Sequence, residues 1–231
     1  MKRFWTEVAI DPDEDGWGVR LDGRPVRTPA RVPLIVPGES LAIAIATEWS
    51  GVADDVDPRA MPLTGLANAA IDRVAPDRRA FAATLIRYAE ADLTCYRAEG
   101  PRPLVDRQEA LWDPLLAWAR RRYDVDFATT AGIVHVQQPF ATVDRLTHAV
   151  ASLDSFPLAG LSPLVTLGGS LIAALAVLER AFAPDKAWEA VSVDDRWQLD
   201  QWGADAEAES VLDSRRRDFL AAARFLELLD S

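Results

Sequence analysis

A chain of 231 residues has room for one large domain or two small ones, and 49% hydrophobic with 26% charged residues excludes an intrinsically disordered chain. A formal net charge of −11 argues against nucleic acid as a partner, because phosphate binding rests on neutralising Lys and Arg. The single cysteine, Cys95, cannot form an internal disulfide and fits a reducing compartment.

The first 37 residues read as β. Residues 4–10 are strand-like, the Asp-Pro-Asp-Glu-Asp-Gly run at 11–16 carries turn chemistry, 17–21 alternate, and Asp22-Gly23 is a hairpin signal. Strands return at 25–28 and 31–36, before Pro37-Gly38. Such a small antiparallel meander needs helices against one face to bury a core.

Helical patterns follow. Ser40 is the expected N-cap of a helix over 41–49, and a Pro-bounded linker leads to a second over 63–74. Asp77 is placed to cap a third that runs to about residue 96, with Phe81, Leu85, Tyr88 and Asp92 on one face. Residues 104–123 form another, with Pro114 tolerated near a start or kink. A β-like stretch at 127–136 is expected to return to the N-terminal domain, and helices over 140–153, 158–181, 184–202 and 206–229 complete a bundle. Arg215 and Arg216 interrupt the last apolar stripe. The expected class is α+β, with residues 1–78 as an N-terminal α/β domain and 79–231 as a C-terminal helical bundle.

Residues 155–178 carry no charge, but Pro157, Ser162, Pro163 and Thr166 leave an apolar run shorter than a membrane span, so a buried central helix is expected. The catalytic inventory is thin. The histidines are His135 and His148, without metal-ligand spacing. The lysines are Lys2 and Lys186, so Gly168-Gly169-Ser170 is no phosphate loop; its glycines suit close helix packing. Gly160-Leu161-Ser162-Pro163 lacks the second glycine of a nucleophile elbow. No catalytic residue, metal site or cofactor is assigned. Asp92 on an apolar face needs a partner, for which Arg87 or Arg97 is available. A pocket lined by Asp92, Arg87 and Tyr88 would instead support a small-molecule binder or an enzyme using bundle carboxylates.

At helical spacing, 188–203 places Trp188, Val191, Asp195, Gln198 and Trp202 on one face, and Gly203 ends the run. Two indoles framing a carboxylate and an amide suit a gripping surface rather than a core stripe. Trp49, Trp197 and Trp202 have polar neighbours, as amphipathic interface anchors often do. The candidate partner-binding set is Asp195, Gln198, Trp202, Trp197, Asp194 and Trp49.

Six ordered blocks resemble one family over nearly the whole chain. They are Val19-Arg-Leu-Asp-Gly-Arg-Pro-Val-Arg-Thr-Pro29, Ala42-Ile-Ala-Ile-Ala-Thr-Glu-Trp49 and Met61-Pro-Leu-Thr-Gly-Leu-Ala-Asn-Ala-Ala-Ile-Asp72. Tyr88-Ala-Glu-Ala-Asp-Leu-Thr-Cys-Tyr-Arg97, Gln108 with Trp112-Asp-Pro114, and Trp197-Gln-Leu-Asp-Gln-Trp-Gly203 complete the set. The family is that of the F1 ATP synthase assembly chaperones of the α-subunit-binding type (ATP synthase mitochondrial assembly factor 2 and its bacterial relatives). The resemblance implies a small α/β domain joined to an orthogonal helical bundle. It also implies a non-enzymatic protein that holds unassembled F1 α subunit until it meets β, and a monomer would leave the binding surface free. Family members carry Glu near Asp194 and Asp195, so the charge here sits on a shorter arm. The chain begins directly at the β domain, which points to a bacterial protein of the cytoplasm, or to the mitochondrial matrix for an organellar relative lacking its presequence. A domain that self-associates through 197–203 is a third reading.

Overall fold

Asp22 and Gly23 both take left-handed backbone, with φ of 48° and 75°, and this pairing forms a two-residue hairpin turn that matches strand twist. The Asp22 carboxylate accepts the Thr6 and Glu7 amides at 3.0 and 2.9 Å, which holds the turn against the chain start. The computed structural model describes residues 2–202 and 205–229, with the backbone alone at Trp202. It divides into two compact units, Met1–Arg78 with Asp154–Gly160 and Arg224–Ser231, and Arg79–Leu153 with Leu161–Ala223.

In the first unit, β1 (Val8–Asp13) and β2 (Gly16–Leu21) pair antiparallel in full register, closed by Glu14-Asp15. The predicted turn at 11–16 is therefore mostly strand. Beyond β2, β3 (Arg24–Pro25) pairs with Leu21 and Arg20, while β4 (Ile35–Val36) pairs with Trp17 and Gly18. The expected third and fourth strands thus shrink to two residues each, both paired with β2. Pro25, Pro29 and Pro33 cannot donate to a ladder, and Arg31 sits at φ 67°, so the chain folds back between them. Asp72 pins that fold, accepting the Thr28 hydroxyl at 2.7 Å and the Ala30 amide at 2.9 Å.

Helix α1 (Glu39–Ser50) begins after Gly38 with no side-chain cap, so Ser40 does not serve as one. Its buried Leu41, Ala42, Ile45 and Trp49 lie in a core with Trp5, Val19, Leu21 and Val36. Glu48 reaches from α1 to α2 (Pro62–Ala69), accepting the Leu63 and Thr64 amides, both at 2.8 Å. It supplies the N-terminal acceptor that Met61 lacks. A π turn over Ala70–Val74 follows.

The second unit begins with α3 (Arg78–Ile86) and two 3₁₀ turns, Arg87–Ala89 and Leu93–Cys95. Strand β5 (Tyr96–Arg97) then precedes α4 (Arg102–Tyr123). Strand β6 (Thr130–Ala131) pairs parallel with β5, so the β-like stretch around 127–136 stays within this unit instead of joining the N-terminal sheet. The remaining helices of the chain are α5 (Phe140–Ala151), α6 (Ser155–Gly168), α7 (Leu171–Leu178), α8 (Pro184–Val191), α9 (Val193–Trp202) and α10 (Ala206–Leu229), the start of α6 and the end of α10 belonging to the first unit. Helix α4 packs against α5, α7, α8 and α9. Its Trp112 is fully buried and donates from Nε1 to the Ala190 carbonyl at 2.7 Å.

Three predicted long helices are broken. The one expected to run to about residue 96 ends at Ile86, and the 3₁₀ turns and β5 take its second half. The one over 158–181 ends where Gly169 takes φ 67° and donates to the Val165 carbonyl; Ser170 then caps α7 by accepting the Ala173 amide at 3.0 Å. The one over 184–202 breaks at Ser192, whose hydroxyl donates to the Trp188 carbonyl at 2.6 Å. Among the described residues, no helix is long and apolar enough to cross a membrane. The sheet and predominantly helical remainder agree with the expected α+β class. Because only glycine adopts the Gly169 conformation freely, Gly169→Ala is expected to cost about 1–2 kcal/mol, read as a lower midpoint in chemical denaturation.

Candidate functional site

Asp92 sets the local geometry. It does not lie on a helical face: it begins the 3₁₀ turn at Leu93–Cys95, and its carboxylate is 1% exposed. Oδ1 accepts the Thr94 amide at 3.0 Å, the Thr94 hydroxyl at 2.8 Å and the Ser170 hydroxyl at 2.8 Å, while Oδ2 accepts the Ile172 amide at 3.0 Å. It therefore ties residues 92–95 to the N-terminus of α7, where a carboxylate also suits the helix dipole. Arg87 is exposed and Arg97 pairs with Asp113, so neither is the partner expected from sequence. Burial pushes the Asp92 carboxyl above the usual carboxylate range, opposed by those four hydrogen bonds. The same burial raises the Cys95 thiol to about 12, leaving it unreactive.

From this anchor the chain runs into β5 and then to Ala98, whose amide donates to Gln108 Oε1 at 2.8 Å. Gln108 is 1% exposed, and its Nε2 donates to Asp194 Oδ1 at 2.7 Å. One buried amide on α4 thus fixes both the strand exit and the first turn of α9. Between them lies a groove of about 620 Å³, lined among others by Tyr96, Leu104, Ile133, Asp194, Trp197 and Gln198. Trp197 is half-buried beneath the Arg107 guanidinium, 4.8 Å from its ring, and Arg107 also pairs with Asp200 at 2.8 Å. Burial raises the Asp194 carboxyl, with the neighbouring Asp195 charge acting the same way and the Gln108 bond opposing both.

Asp195 lines a second hollow of about 580 Å³ between α9 and α10, with Leu199, Val211 and Leu212. Its Oδ2 accepts from Arg215 at 3.0 Å, and Arg215 also donates to the Leu167 carbonyl at 2.8 Å. The arginine that interrupts the α10 stripe is thereby accounted for. Gln198 is exposed and lines both hollows.

The continuous face expected over 188–203 does not exist as such. Trp188 and Val191 are buried on α8, and the break at Ser192 separates them from α9. Asp194, Asp195, Trp197 and Gln198 do come together on α9. The Trp202 side chain and Gly203 lie outside the described residues. Trp49 is a correction: it is 8% exposed in the core of the other unit, edge-on to Trp5 at 5.3 Å, because its spacing from Leu41 and Ile45 puts it on the buried face of α1. Ile133 and Val134, 99% and 75% exposed, were read only as part of a β-like stretch. Their signal was two adjacent aliphatics between Gly132 and Pro139 with no strand to enter.

The family profile described as ATP12 chaperone protein matches residues 2–120, more than half of the chain. The chain belongs to the ATP12 chaperone family. Its role is that of an ATP synthase assembly chaperone. The Atp12 crystal structure from Paracoccus denitrificans is 44% identical, with a TM-score of 0.94 over 99% of this chain and 98% of that one. A structure from Agrobacterium tumefaciens is 36% identical, again with a TM-score of 0.94, covering 99% of this chain and 86% of its own. The mitochondrial protein atp12 of Schizosaccharomyces pombe is 26% identical, covering 98% of this chain and 82% of the yeast protein. Similarity that extends through both units brings the α9 face within the ATP12 comparison.

Asp92→Ala leaves several buried donors without an acceptor and is expected to cost about 2–4 kcal/mol of stability. Raised in the folded chain, the Asp92 carboxyl contributes stability below its ordinary value of 3.8 that is lost as pH rises through the raised one. Asp92→Asn cannot titrate, so its deficit relative to the unsubstituted chain is expected to be largest in acid and to narrow toward neutral pH, measured by denaturation across that range.

Proposed function

We propose that this chaperone holds the unassembled α subunit of F1-ATPase without enzymatic action, covering its β-contacting surface until α and β assemble. The α9 face is the grip, with Asp194, Asp195, Trp197, Gln198 and Trp202. The observation that carries this reading is the placement of a half-buried indole, an exposed amide and two carboxylates on a ten-residue helix bordered by two hollows. A fixed, partly desolvated aromatic beside polar groups is the kind of anchor on which interface energies concentrate.

Chemistry at Asp92 is the competing reading, and its sealed carboxylate removes the pocket on which that reading depended. A subunit interface awaiting its partner is large and more apolar than ordinary surface. A chaperone must cover it yet yield to the tighter native subunit, so a contact with a polar component and moderate affinity fits the handover. The site of action is the bacterial cytoplasm, or the mitochondrial matrix for an organellar relative, and a monomer leaves the grip free.

The test is capture of separately expressed F1 α and F1 β subunits from the same source. The chain is expected to retain α, not β, and to release α when β is added. Trp197→Ala with Gln198→Ala is expected to weaken capture roughly tenfold or more while the chain stays folded, checked by circular dichroism. This pair is cleaner than a charge reversal at Asp195, which would also repel Arg215. Equal retention of both subunits, or of neither, would refute the client assignment.

A further inference from the structure

The groove beside α9 is also lined by Gly132 and Ile133, from outside that helix. Residues 128–138 form a loop closed on itself by Gln138, which is 5% exposed. Its Oε1 accepts the Ala128 amide at 3.0 Å and its Nε2 donates to the Ala128 carbonyl at 2.8 Å. The loop is also tied at its middle. Gly132, at φ 82°, donates its amide to the Arg97 carbonyl at 2.8 Å, and the Tyr96 hydroxyl lies 3.1 Å from His135 Nδ1. Between these ties Ile133 and Val134 are exposed to solvent, and Ile133 lines the groove together with Trp197.

A single exposed aliphatic is ordinary. Two adjacent ones, displayed by a clamped loop beside a half-buried indole, form a pre-ordered apolar edge that loses little entropy on binding. The groove is also electrostatically incomplete. Asp194, Glu99 and Arg97 line it, and among the described residues no cation pairs with Asp194. The cations beside Asp194 are engaged with other carboxylates: Arg97 pairs with Asp113 and stacks on Trp112 at 5.1 Å, its Nη1 buried without a partner among the described residues, while Arg107 pairs with Asp200. A half-buried carboxylate beside apolar walls calls for a ligand that brings its own positive charge.

We infer that the Ile133–Val134 edge and the Asp194 wall together receive a segment of the α subunit carrying an aliphatic side chain next to a Lys or Arg. This rests on the client reading above and adds a second contact element to it, with the chemistry of what that element takes. The apolar edge supplies salt-insensitive affinity, and Asp194 supplies charge selection.

The experiment is a binding titration of the full chain against free F1 α at low and high salt. Ile133→Ser/Val134→Ser is expected to weaken binding about tenfold at both salt concentrations without changing thermal stability. Asp194→Asn keeps an acceptor for Gln108 but removes the charge, and is expected to weaken binding several-fold at low salt with the difference closing at high salt. Binding by the unsubstituted chain that the Ile133→Ser/Val134→Ser variant matches overturns this inference alone. Asp194→Asn binding equal to the unsubstituted chain at low salt overturns its charged half. No binding by the unsubstituted chain removes both this inference and the client reading.

Discussion

A carboxylate that never meets solvent holds the candidate face in place. Asp92 satisfies two amides and two hydroxyls, joining the turn before β5 to the start of α7. Burying that charge is unfavourable, and it is tolerated because every donor around it would otherwise be orphaned. From there the restraint passes along the chain to Ala98, through Gln108, and into Asp194 on α9. The candidate face is thus positioned by buried polar groups, whose directional bonds define a geometry that apolar packing alone leaves loose.

That arrangement suits a protein that must bind and then let go. Helix α9 is short, with Trp197 held by Arg107 on one side and Asp195 held by Arg215 on another. Its side chains are pre-ordered, so little entropy is lost on capture. Its contact area is divided between two modest hollows, which limits the affinity that any client can reach. On the proposed client reading, a hold that yields to the native β subunit fits that division.

Much of the fold was legible because local rules and tertiary packing agree. The Asp22-Gly23 turn, α4 and α10 emerged from turn chemistry and apolar periodicity, and the ordered sequence blocks pointed to the family. Failures arose where a single residue outweighed periodicity. Gly169 and Ser192 interrupt patterns that continue across them, since left-handed backbone and a hydroxyl bonded back to a carbonyl leave hydropathy unchanged. Asp92 fits a helical stripe by spacing, yet its side chain forms better bonds as a cap. Trp49 has polar neighbours in sequence, but it lies on the buried face of α1 with Leu41 and Ile45. Ile133 and Val134 were legible as aliphatics, though nothing in the sequence showed that a buried glutamine five residues on would hold them out in solvent.

The central claim is that a client docks on α9 and the adjoining loop of the helical unit. Amide hydrogen exchange with and without free F1 α subunit tests it most directly. The account predicts slowed exchange at residues 132–134 and through α9 when α is added, with the β1–β2 hairpin unaffected. Protection confined to the hairpin and α1, with α9 exchanging as in the free chain, would contradict it.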